Sequence, residues 1–200
     1  MNPPCNDPKQ TELASNFTVA NYESAVKVQD RNNIADALHR RFSERYIEPV
    51  TPSDGKNVHG FTMMAVSCLM IESLESFSRG WANSDGKSEL AFCHFFASHG
   101  EFKCFRDPSV KFYKNVRCGI LHQAETTGGW KITRNKSTPL FDPVPLPTIN
   151  ATRFLEGLCT VLDNFRDGLK NADWNSEDWL NVRKKMNALC KHCCAQVSDP

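Results

Sequence analysis

Arg117 and His122 stand five residues apart in KFYKNVRCGILHQAE (111–125), and their side-chain types suit phosphate chemistry. An arginine keeps its charge and forks onto phosphate oxygens. A histidine, with an ordinary pKa near ~6.5, takes or gives a proton at neutral pH. The pair supplies a charge clamp and a general acid or base without a metal. Cys118 and His122 are four apart, hence neighbours on one helix face, and a thiolate beside an imidazole is a nucleophile. The sequence offers no third residue to orient that histidine and no oxyanion site. Cys190, His192, Cys193 and Cys194 contain a Cys-x-x-Cys pair, which is half of a zinc site. Cys5, Cys68, Cys93, Cys104 and Cys159 supply no second pair at ligand spacing, so neither a metal nor a cofactor is expected. Phosphate-cradling glycine loops, dinucleotide fingerprints and HExxH are absent from the sequence.

The segment that must position the pair has helical periodicity. At ~100° per residue, Phe112, Val116, Ile120 and Ala124 share one side with Tyr113, and His122 points away from it with Asn115, Cys118 and Glu125. Arg117 lies at the flank, ~140° from His122 on a regular helix. Tyr113, one turn before Arg117, is placed either to orient it or to pack in the core. Glu125, one turn after His122, is placed to set its tautomer or to stand in solvent. Lys114 and Gln123 complete the polar surroundings.

Around this segment the pattern predicts further helices. Tyr22 and Val26, then Ile34, Leu38 and Phe42, mark one long helix or two short ones, and His39, Arg40, Arg41 and Arg45 form the densest basic patch. That patch is a solvated face or a phosphate-steering surface. Met63, Val66, Met70, Leu74, Phe77 and Trp81 form a stripe, with Glu72 and Glu75 off it. Glu89 to Ala97 predicts a shorter helix, whose His94 and His99 are read as surface or core residues. Thr126 to Ile149, with its prolines and glycines, predicts a long loop, with room for a hairpin, made basic by Lys131, Arg134 and Lys136. Asn150 is placed to cap a helix carrying Phe154, Leu155, Leu158, Val161, Leu162, Phe165 and Leu169 on one face. A last helix starts at Asn175 or Ser176, with Trp179, Val182, Met186, Leu189 and Cys193 as its stripe. The expectation is an all-α bundle: a flexible tail at 1–18 and a single helical domain at 19–196.

Two hundred residues suffice for one domain, and a net charge of +1 leaves any polyanion to a local patch. The N-terminus lacks an apolar signal core and no apolar run approaches the ~20 residues of a membrane span. A cytoplasmic protein that does not enter a membrane is expected, and the sequons at Asn16 and Asn150 are read as chance matches.

The pattern Arg-x4-His in VRCGILHQAE, on a helix of a small all-α domain, resembles the signature of the HEPN superfamily. The remaining likeness is architectural: a glutamate-bearing helix such as 63–81 before the motif, and long helices after it. The resemblance implies a HEPN-like helical bundle with a long loop between the motif helix and two C-terminal helices. It implies a metal-independent endoribonuclease of toxin, abortive-infection or other defence systems, in which the 2′-hydroxyl attacks the adjacent phosphate. Arg117 and His122 would then be catalytic, with Tyr113, Lys114, Cys118, Gln123 and Glu125 supporting and Arg40, Arg41, Lys131 and Arg134 as RNA-binding candidates. It also implies a homodimer whose facing motif helices build composite sites, with Gly119 permitting close approach, and a cognate antitoxin or regulatory protein as a further partner. One departure is Cys118, where the family commonly has Asn, Asp or His after the arginine. A non-catalytic HEPN-like module that binds protein, RNA or nucleotide stays open beside the enzyme, as does a plain helical adaptor.

Overall fold

The computed structural model describes residues 7–51 and 59–194. It is mostly helical with two small sheets, which amends the all-α expectation. The first sheet lies in the stretch expected to be a flexible tail. β1 (Glu12–Ala14) pairs antiparallel with β2 (Phe17–Thr18) through a turn in which Asn16 has a positive φ of 58°. Leu13, Ala14 and Phe17 are buried. Three apolar side chains in so short a run leave no periodicity to read, yet they dock residues 12–18 against the core; residues 1–6 lie outside the described residues.

α1 (Val19–Lys27) and α2 (Arg31–Phe42) are separate helices, broken at Gln29 with φ 55°. Each has its own cap: Thr18 and Asn21 form a reciprocal capping box, and Asp30 accepts from the Asn33 N–H at 3.1 Å. α2 continues into a widened turn, Ser43–Ile47.

α3 (Gly60–Ser78) is the central helix, with Met63, Met64, Cys68, Met70, Ile71, Leu74 and Phe77 all buried. α4 (Ser88–Ser98), α7 (Ala151–Asn171) and α8 (Glu177–Cys194) pack around it. A helix buried on most of its surface must be apolar on most of its surface, so a single stripe understates α3. Asn150 caps α7 as expected, accepting from the Arg153 N–H at 3.2 Å. At the start of α8 the Trp179 N–H donates to the Ser176 hydroxyl at 3.4 Å, and the Trp179 indole donates to the Leu169 carbonyl at 2.8 Å. The Tyr22 hydroxyl of α1 donates to Asn187 of α8 at 3.3 Å.

The motif segment is one continuous helical run of three pieces: α5 (Ser109–Phe112), a widened turn (Tyr113–Arg117) and α6 (Cys118–Gln123). Phe112 anchors it. Its ring stacks on Phe154 of α7 at 5.6 Å and meets Phe96, Phe105 and Trp130 edge-on at 5.0, 5.3 and 6.0 Å. Trp130 introduces the second sheet, which replaces the loop or hairpin expected over 126–149. β3 (Lys131–Thr133) runs parallel to β5 (Thr148–Asn150), and β4 (Phe141–Asp142) pairs antiparallel with β5's other edge. Trp130 stacks on Phe141 at 5.4 Å, so the sheet is tied to the ring cluster. Strands of two or three residues are too short for an alternation to show in the sequence.

Among the described residues no helix is long and apolar enough to cross a membrane. Because Phe112 joins α5 to α4, α7 and the second sheet, Phe112→Ala is expected to cost about 3–5 kcal/mol, read as a drop in urea-unfolding free energy at an unchanged slope.

Candidate functional site

Arg117 sits at the end of the widened turn, where the Cys118 N–H reaches back five residues to the Tyr113 carbonyl. A regular wheel therefore does not describe the stretch before Arg117, whereas Arg117 leads directly into the regular α6 that carries His122. The Arg117 Nε donates to Glu72 Oε1 of α3 at 2.7 Å, and the two side chains are only 17% and 10% exposed. Ser88, at the start of α4, donates to the other oxygen of Glu72 at 2.6 Å. Three elements thus meet on one carboxylate. The guanidinium lies over the Tyr113 ring at 5.7 Å, and that ring packs on Phe92 at 5.8 Å. Tyr113 therefore fills both roles open to it, one face on the core and the other under the arginine.

Burial opposes the Arg117 charge, but the bond to Glu72, its negative charge and the contacts with Tyr113 and Cys118 hold the arginine's pKa above its ordinary value. The Cys118 thiol lies beside Arg117 and Tyr113, and burial followed by that neighbour raises the tyrosine's pKa. Cys118 thus neighbours Arg117, and among the described residues no hydrogen bond joins it to His122. Cys68 of α3 is fully buried close by, and burial pushes its thiol pKa well up. Cys68 therefore lacks the open, electropositive setting of a nucleophile.

His122 is exposed near the end of α6 and has no hydrogen-bond partner among the described residues. Glu125 does not orient it. The helix ends at Gln123, Ala124 takes the left-handed conformation with φ 55°, and the Glu125 carboxylate turns back to accept from the Thr126 N–H at 2.8 Å. Gly119 is also reassigned: a Cβ there would lie 2.6 Å from the Glu125 carbonyl oxygen, so the glycine admits the chain's own return and is not free for a facing helix. Lys114 and Gln123 are exposed on the motif helix, unattached to Arg117 or His122.

The basic candidates do not converge on Arg117. Arg41 donates to the Leu13 carbonyl at 2.6 Å, and Arg45 reaches the same oxygen at 3.4 Å. Burial, then Arg45, lowers the pKa of Arg41. His39 bonds Asp163 at 2.9 Å, and the Arg40 Nε is buried without a partner among the described residues. Through His39, Arg41 and Arg45 the patch ties the second helix and its widened turn to α7 and β1. Arg134 donates to Thr152 at 3.4 Å and, with Lys136 and Arg153, lines a separate cleft of about 320 Å³, while Lys131 is exposed on β3. Among the described residues no cluster of His, Cys, Asp and Glu could hold a metal ion.

Glu72 and Ser88 are the residues that the motif alone does not name. Their signal is compositional: a carboxylate on a helix otherwise apolar nearly all round must find a partner. No family model, no curated protein and no solved structure matches the chain.

Removing one side of a buried pair strands the other charge. Glu72→Ala is therefore expected to destabilise the fold by about 3 kcal/mol, and Glu72→Gln, which still accepts from Arg117, by less; the two urea-unfolding midpoints compare them directly.

Proposed function

We propose that the chain is a metal-independent endoribonuclease of the HEPN type, acting as a homodimer in a toxin or defence setting. The observation that carries this reading is Arg117, fixed through its Nε by a glutamate of the preceding long helix, with an exposed histidine further along its own helix. Among the described residues only the Nε faces a carboxylate, so the terminal nitrogens are the edge on which a phosphate would fork. In the reaction, the RNA 2′-oxygen attacks the adjacent phosphorus and the bond to the 5′-oxygen breaks, leaving a cyclic phosphate. Arg117 stabilises the charge that builds on the non-bridging oxygens. His122, as base, takes the 2′-hydroxyl proton or, as acid, gives one to the departing 5′-oxygen. A second copy would supply the complementary histidine, and the exposed Leu121, next to His122, lies on the face it would cover.

A second reading, a non-catalytic module that binds a protein, RNA or nucleotide partner, is favoured by the Cys118 thiol lying against Arg117 and by the lack of an orienting partner for His122 among the described residues.

Incubation of mixed RNA with purified protein in EDTA separates the two. Wild type is expected to cut, with Arg117→Ala and His122→Ala each slower by at least about a hundredfold. Identical RNA profiles from all three proteins would reject the nuclease and leave the binding module.

A further inference from the structure

One face of α3 places Leu69, Glu72, Ser73 and Ser76 in a row at helical spacing, and this row forms the floor of a cleft of about 360 Å³. That size falls in the ~300–1,000 Å³ range of small-ligand sites. Tyr46 and Lys185 wall the cleft together with the segment 82–85. Glu72 is common to the cleft and to the Arg117 pair, so the two sites adjoin through one side chain.

The charges lining the cleft narrow its occupant. Glu72 is neutralised by Arg117, which leaves one cation, Lys185, and one carboxylate, Asp85. Such a balance suits neither a lone phosphate nor a metal ion. It suits a neutral, planar, polar group that presents donors on one side and an acceptor on the other. Lys185 is held in place by donating to the Ala82 carbonyl at 3.0 Å and by lying over the Phe77 ring at 5.9 Å, with further protons available to an acceptor. Asp85 and Asn83 are exposed, and neither has a hydrogen-bond or ion-pair partner among the described residues. Tyr46, positioned by its hydroxyl contact with Ser73 at 3.2 Å, and Leu69 give the cleft apolar surface for a ring.

Among the four RNA bases, guanine alone shows two adjacent donors, N1–H and the N2 amine, beside a carbonyl acceptor, O6. A carboxylate accepts both donors at once, and an ammonium answers the carbonyl. Adenine and cytosine set a ring-nitrogen lone pair next to their amine and would repel the same carboxylate. We propose that this cleft is a guanine-binding subsite, in which Asp85 takes the N1–H and N2 amine and Lys185 takes O6 of a base flanking the phosphate held by Arg117. The assignment rests on the ribonuclease reading for the phosphate but not for the base, because base binding needs no cleavage.

The test uses the full chain carrying His122→Ala and two fluorescent ten-nucleotide RNAs of mixed A and U, identical except for a single central G or A. Fluorescence anisotropy is expected to show the G oligonucleotide bound about tenfold tighter. Inosine in place of G, which lacks the N2 amine, is expected to lose part of that margin. Asp85→Asn, at an exposed position, is expected to keep the melting temperature while cutting the preference below about twofold. Equal affinity for the two RNAs, no binding of either, or a preference that survives Asp85→Asn overturns the subsite. Cleavage by wild type with no preference for G-containing RNA likewise rejects the subsite and leaves the ribonuclease standing.

Discussion

The contact on which the rest depends is the packing of aromatic rings around Phe112. The motif helix is assembled from pieces of four, five and six residues, and the whole run is no longer than the ~15 residues below which an isolated helix is marginal in water. Tertiary packing has to hold it. Phe92 and Phe96 from α4, Phe154 from α7 and Trp130 from the approach to β3 all meet Phe112. These rings fix the position and roll of the segment, and only then does Arg117 fall opposite Glu72. The chemistry of the site is thus downstream of a purely apolar constraint.

Glu72 has the opposite character. It places a carboxylate on a helix buried over most of its length, where an unpaired charge would be strongly unfavourable. The arginine and the Ser88 hydroxyl meet that need from two other elements, so the polar network links α3, α4 and the motif helix at one point. The arrangement leaves the guanidinium oriented before any ligand arrives, which lowers the entropic cost of binding one.

Long amphipathic elements were legible in the sequence because their signals are repeated many times. The α7 stripe from Phe154 to Leu169 and the α8 stripe from Trp179 to Met186 lie at the core as their spacing required. Short elements were not. β1 and β2 bury Leu13 and Phe17 within runs of three and two residues, and the parallel pairing of β3 with β5 depends on partners seventeen residues apart that no local pattern announces. At the site, the arginine and histidine were visible as residue types, whereas the arginine's partner was set by the fold and the histidine has none among the described residues. Glu72 reaches Arg117 across forty-five positions, and Glu125, though next in line on a regular helix, is carried off by the left-handed turn at Ala124. The widened turn at 113–117 left no trace in the periodicity, because Phe112 and Val116 stay buried on either side of its start.

The bond from Tyr22 to Asn187 also bears on the order in which the structure can be completed. It spans 165 positions and joins the first long helix to the last. During synthesis from the N-terminus, α1 emerges long before α8 exists, so the polar end of Tyr22 must stay solvated through most of translation. Asn181 of the same late helix donates to the Ser78 carbonyl at the end of α3. The last described helix therefore acts as a closing clasp for two earlier ones, and the core they share is complete only once it has been made.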